Sequence, residues 1–238
     1  TVVQEWLNWV LDPISAKNID SFSFQLEAYK LKYEYLDRKE ALKELESFSL
    51  LNSSSEEAKV ATSIFLDTLL LSQDWNQLYN ITQKLLTKKN WIDPKFVDKI
   101  QELSSDTHLK ITLSSTDSTE ILTRTKECIR QFKNQKIVLQ CKLIQAKTLV
   151  GLKQFNESEH ELNEIGKLNL KEEDLKTVTL MKAEVHQKQG KLNQAAQELE
   201  RFSEMTGYQD VEMVKHIIQI YWFQRNIKKL QPILSNNS

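Results

Sequence analysis

The sequence is short of the residues that build turns. Its 238 residues include 4 glycines and 3 prolines. An all-β domain needs frequent tight turns, and those draw on Gly, Pro and Asn; this chain has too few to close a sheet. Long apolar runs are missing as well. The stretch Ile64 to Leu71 is broken by Asp67 and Thr68, far short of the ~18–20 apolar residues of a membrane span. The opening residues, TVVQEWLNWVL, carry Glu5 and Asn8 and do not read as a secretory leader. No charge sign dominates: 32 basic and 33 acidic residues leave a net charge of -1, so no net field draws the chain to nucleic acid or to an anionic membrane. The basic pairs Lys88-Lys89 and Lys228-Lys229 are too dispersed for a nucleic-acid footprint. Cysteine is scarce too. Cys128 and Cys141 are the two present, and a disulfide framework would carry more. They read as small buried free thiols on separate helices, which suits a reducing compartment, cytoplasm or nucleus. The sequons at Asn52, Asn80 and Asn156 have no secretory context behind them. A chain that begins with Thr1 reads as a segment of something longer.

What is abundant is Leu, Lys, Glu and Gln, all good helix formers, so the expected fold is all-α. The most informative stretch is Thr177 to Phe202, TVTLMKAEVHQKQGKLNQAAQELERF. Val178, Met181 and Val185 recur at helical spacing, and so do Leu192, Ala195, Leu199 and Phe202. Gly190 separates the two stripes and suits a helix end in the left-handed conformation. The stretch predicts a helical hairpin in which the small residues Ala183 and Ala195 let the backbones approach.

Taken in order, the pattern predicts a helix over Val2 to Leu11, ended by Asp12-Pro13. Ser21 to Leu36 and Glu40 to Phe48 form a first hairpin. A capping box, Ser53 with Glu56, opens Ala58 to Leu71, and Trp75 to Leu86 completes the second. Asp93-Pro94 starts a helix running to Leu103. Ser104 to Thr116, SSDTHLKITLSST, breaks the pattern with hydroxyls and β-branched residues and reads as a short extra helix, an irregular loop or a locally disordered turn. Helices resume at Asp117 to Phe132, Lys136 to Leu152, Asn156 to Ile165, Leu175 to Gln189, Leu192 to Phe202, Asp210 to Trp222 and Ile227 to Leu234. Aligning the second helices on Ala41, Leu78, Ser118, Ser158, Ala195 and Leu230 gives spacings of 37, 40, 40, 37 and 35. A near-constant period of helix-turn-helix units predicts an α-solenoid of about six stacked antiparallel hairpins, one array over residues 1–238, in which each hairpin needs its neighbour to bury its apolar face.

Two of these units, AKTLVGLKQFNESEHELNEI from Ala146 and AEVHQKQGKLNQAAQELERF from Ala183, resemble the tetratricopeptide repeat (TPR). Ala146 and Ala183 match its small first-helix residue, Phe155 and Leu192 its turn residue, Ser158 and Ala195 its small second-helix residue. Leu162 and Leu199 follow. Ile165 and Phe202 stand where the family usually has alanine, and its closing proline is absent. The resemblance covers roughly Lys136 to Met205. It implies a concave wall built from first helices, lined by Gln140, Leu143, Lys147 and Val150 in one repeat and Thr177, Leu180, Glu184 and Gln187 in the next. The family's chaperone-tail clamp needs several basic and amide side chains there. Only Lys147 fits, so the implied ligand is a partner helix or extended segment rather than an acidic tail.

No catalytic constellation emerges. His108, His160, His186 and His216 are scattered, without metal-ligand spacing. Glu159-His160-Glu161 point about 100° apart on a helix and do not converge. There is no phosphate loop and no Gly-x-Ser-x-Gly. The expectation is a non-catalytic scaffold with no cofactor and no metal, holding a protein or peptide partner or forming an arm of a large assembly. The competing readings are a helical regulatory arm of a kinase- or protease-class enzyme whose active site lies elsewhere, and a peptide-sensing domain. Tyr221-Trp222-Phe223 is expected to pack against the next hairpin rather than form a docking patch.

Overall fold

The computed structural model describes residues 22–88, 91 and 93–236, with Val2 and Glu5 besides. Apart from those two residues, the helix expected over Val2 to Leu11, with Trp6 and Trp9, lies outside the described residues. Twelve helices and no strand occur among the described residues. They fall into two compact units, Thr1–Ile111 and Thr112–Ser238.

The first unit contains α1 (Phe22–Tyr35), α2 (Arg38–Leu51), α3 (Glu56–Ser72), α4 (Trp75–Leu86) and the body of α5 (Pro94–Ser114). α1 pairs with α2 and α3 with α4, α2 packs on α3, and the first helices α1 and α3 also touch. Starts are fixed by side-chain caps: Asp37 accepts from the Glu40 amide and Asp74 from the Gln77 amide. At α3 the cap is Ser55, accepting from the Ala58 amide, not the expected Ser53. Ala41, Leu45, Ala58, Ala61 and Leu78 are fully buried.

The break expected after Leu103 is corrected: neither a loop nor a separate short helix follows, and α5 runs unbroken to Ser114. Its hydroxyls bond back along the helix, Ser105 Oγ to the Glu102 carbonyl and Thr107 Oγ1 to that of Leu103, each at 2.7 Å, so they do not compete with helix formation. α5 meets α4 through polar contacts. Gln83 Nε2 donates to Ser104 Oγ (2.7 Å), the rings of Tyr79 and His108 lie 5.2 Å apart, and the Lys110 ammonium sits 4.0 Å over the Trp75 ring. Ser104, Ser105, Thr107, His108 and Thr112 are all buried, which is why apolar periodicity gave no signal there.

The second unit contains α6 (Ser118–Gln131), α7 (Gln135–Gly151), α8 (Phe155–Gly166), α9 (Glu172–Lys188), α10 (Leu192–Met205), α11 (Val211–Phe223) and α12 (Ile227–Asn236). Each helix packs on the next, and the first helices α7 and α9 touch. The expected close contacts hold. Ala183, Ala195 and Ala196 are buried in one cluster with Leu199 and Phe202. Buried Ser158 donates to the Ala146 carbonyl at 2.9 Å, so the second helix of that hairpin lies one hydrogen bond from the backbone of the first. Of the aligned positions, Ala41, Leu78, Ser158, Ala195 and Leu230 are buried, whereas Ser118 is half-buried and α6 turns Thr125 and Cys128 inward instead.

Cys128 and Cys141 form a disulfide, with their Cα atoms 6.4 Å apart. This corrects the free-thiol reading. The turn at residues 132–134 folds α7 back on α6, and a separation of 13 residues then places the two sulfurs opposite each other. The expectation of a reducing compartment rested on free thiols and loses that footing. Among the described residues, no helix is long and apolar enough to cross a membrane.

Four hairpin turns share one geometry. Gln73, Lys153, Gly190 and Arg225 take positive φ of 56°, 60°, 75° and 53°, and each precedes by two the residue that opens the second helix: Trp75, Phe155, Leu192 and Ile227. The left-handed conformation costs an L-residue roughly 1–2 kcal/mol, yet only one of these four turns uses glycine. Gly190→Ala is therefore expected to lower stability by about 1 kcal/mol, while Lys153→Gly is neutral or stabilising. Urea unfolding of the two variants checks the opposite signs.

Polar staples join successive first helices at a constant spacing. Ser23 Oγ donates to Glu57 Oε1 (2.7 Å) and Lys59 Nζ to Asp93 Oδ2 (3.0 Å), each across 34 residues. Lys176 pairs with Asp210 (2.8 Å), also 34 apart, and with Glu212 (2.8 Å). That spacing matches the tetratricopeptide period more closely than the apolar alignment does. Burial pushes the Asp210 carboxyl up, but the Lys176 ammonium and the Met213 and Glu212 amides outweigh it and hold it below the ordinary carboxylate range. A depressed carboxylate stabilises the fold above its unfolded pKa and stops doing so as pH falls through the folded one. Protection of the amides at the start of α11, corrected for the intrinsic pH dependence of exchange, is expected to fall in acid below that range and to stay flat near neutrality. Lys176→Met removes most of this pH dependence.

Candidate partner-binding groove

The first helices α7 and α9 carry the residues expected to line a groove. On α7, Gln140 and Leu143 are half-buried and Lys147 is exposed. On α9, Leu180 is half-buried, while Thr177, Glu184 and Gln187 are exposed. Val150 differs: it is buried in a cluster with Leu139, Ala146, Leu162, Ile165, Val178 and Val185, so its side chain belongs to the core that α7, α8 and α9 share. Leu143 leans on that cluster, and Leu180 on the one around Ala195. Glu184 pairs with Lys188 one turn on (2.9 Å). The seven residues other than Val150 thus form two helical rows, apolar at the base and polar above, on helices that touch. They supply hydrogen-bonding groups of both kinds and no concentration of one charge.

The second helices and the turns carry features that the sequence did not disclose. Gln189 Nε2 donates to Asn156 Oδ1 (3.2 Å), and Gln224 Nε2 to Asn193 Oδ1 (3.0 Å). In each case the glutamine ends a first helix and the asparagine is the second residue of the preceding second helix. Both glutamines leave Oε1 buried without a hydrogen-bond partner. A buried polar atom left unpaired costs on the order of 1–3 kcal/mol. His186, 6% exposed, likewise has no partner for Nδ1. The signal available beforehand was the recurrence of Asn just after the turn residue, in Phe155-Asn156 and Leu192-Asn193.

The aromatic triplet divides. Tyr221 is buried, donates to Glu200 (2.6 Å) and accepts from Lys229 (2.9 Å). Trp222 and Phe223 are 76% and 79% exposed, and Ile227 is 72% exposed. The expectation of packing holds for Tyr221 alone. His160 and Lys147 are exposed, and His108 lies against Tyr79 inside the first unit.

No protein-family model matches the chain, and no curated protein sequence does. Among solved structures it is similar to a thermophilic TPR protein of Thermus thermophilus, at 14% identity and a TM-score of 0.41, covering 92% of this chain and 99% of that one. At that score the likeness carries no weight. The TPR-like description rests on the paired helices, the small residues between them and the 34-residue staples.

Proposed function

We propose that the chain is a protein-interaction scaffold that holds a partner polypeptide against the first helices α7 and α9. The observation that carries this reading is the pair of rows Gln140, Leu143, Lys147 and Thr177, Leu180, Glu184, Gln187 on two touching helices, most of which the packing of the unit leaves open to solvent. Half-buried leucines beneath polar side chains suit an amphipathic helix or an extended segment. The partner is a protein, and the scaffold supplies binding rather than chemistry. A photo-crosslinking residue placed at Gln187 or Lys147 in the full chain is expected to capture a partner from a native extract, while the same residue at exposed Lys126 on α6 captures none. Equal capture from all three positions would count against the assignment.

A further inference from the structure

The second unit has a polar track that shares no lining residue with the α7–α9 groove. Three clefts follow one another along it. The first, of 360 Å³, lies between the second helices α8 and α10, with His186 of α9 among its lining. The next, of 400 Å³, lies over the α9–α10 turn, and Gln194 belongs to both. The last, of 600 Å³, lies at the α11–α12 turn and shares Asn193 and Gln224 with the second. Shared lining residues set the three side by side along the second helices and turns.

Carboxamides dominate that path: Asn163, Gln194 and Gln197 in the first cleft, Asn193, Gln224 and Asn226 toward its end. A carboxamide offers donors and an acceptor on one planar group, the same pairing that an extended polypeptide repeats along its main chain. Two buried groups on the path have no protein partner, His186 Nδ1 and Gln224 Oε1. His186 is more than nine-tenths buried, with that nitrogen left unpaired. Buried polar groups in folded proteins are almost always paired, so these two leave unused hydrogen-bonding capacity in the cleft walls. Charge sets the direction. Glu159, Glu198 and Arg201 line the first cleft, and Glu159 already faces Lys191 at 3.8 Å. Arg225 and Lys228 line the last cleft with no carboxylate among its lining.

We propose that this track binds an extended segment of a partner polypeptide, main chain against the carboxamides, with an acidic side chain or carboxylate at the Arg225–Lys228 end. The site is independent of the groove on α7 and α9, and either can fail without the other. The probe is an array of extended peptides of about eight residues, a length of roughly 27 Å, with acidic, neutral or basic ends. Binding to the full chain is read by fluorescence anisotropy and by NMR shifts of the His186 ring and of the Asn193 and Gln224 side-chain amides. Acid-ended peptides are expected to bind best and to shift those signals. The exposed-site variant Arg225→Glu with Lys228→Glu should weaken them about tenfold, an energy of about 1.4 kcal/mol, and turn the preference toward basic ends. Asn193→Ala should weaken every charge class alike. Lys147→Glu, in the groove, should change nothing. The proposal is overturned if no class binds, if charge reversal leaves the preference unmoved, if the shifts fall on α7 and α9, or if an oligonucleotide of similar length binds at Arg225 and Lys228 where the peptides do not.

Discussion

Ser158→Leu is expected to destabilise the second unit by about 3 kcal/mol, the upper part of the range for overpacking a closed core, and to lower its melting temperature by roughly 10 °C. The reason is distance. Ser158 is fully buried, and its Oγ reaches the Ala146 carbonyl at 2.9 Å. A leucine there adds bulk where the facing backbone stands, so α8 must be pushed off α7, and α7 also contacts α9. The displacement therefore reaches beyond one hairpin. Ser158→Ala keeps the close approach and removes only the hydrogen bond, a loss of about 1 kcal/mol. Thermal unfolding of the two variants separates the effects. Near-equal losses would mean that the helices are not held at this spacing.

Reducing the Cys128–Cys141 bridge is expected to cost about 3 kcal/mol, the size given by the chain-entropy account for a loop of this length. Neither cysteine exposes surface, and the bridge ties α6 to α7, so the loss should appear as earlier unfolding of the second unit. The first unit, which contains neither residue, should keep its midpoint. Urea unfolding with and without a reductant measures this, and Cys128→Ser with Cys141→Ser should reproduce the reduced curve. Alkylation of both thiols in unfolded, unreduced protein would contradict the bridge.

The hairpins from α7 to α10 were legible because three local signals agree there: apolar spacing, a turn residue and small residues at the close approach. The second half of α5 was not, because Ser104, Ser105, Thr107, His108 and Thr112 are buried there, and the partners of Ser104 and His108, Gln83 and Tyr79, lie on α4. Cys128 and Cys141 read as unrelated because only the turn between α6 and α7 brings them together. The groove rows were legible as positions on one helical face. Val150 departs from its row because it is buried in the cluster that also holds Leu162 and Ile165 of α8, which spacing on α7 alone does not reveal. The staples at 34 residues were invisible as a period, since Ser23, Lys59 and Lys176 look like any other surface polar residue until their partners are known. The unpaired His186 and the carboxamide clasps are of the same kind: their meaning lies across a helix boundary.

Stacking of neighbouring hairpins holds the second unit together. Val178, Ala195, Leu199 and Phe202 are buried, and the helices carrying them, α9 and α10, pack on α8 and α11 as well as on each other. Helices of 17 and 14 residues are marginal in water on their own. Circular dichroism of the isolated segment Glu172–Met205 tests this most directly. A largely unfolded peptide with no cooperative melt is expected, and a hairpin that folds alone and melts cooperatively would overturn the dependence on neighbours.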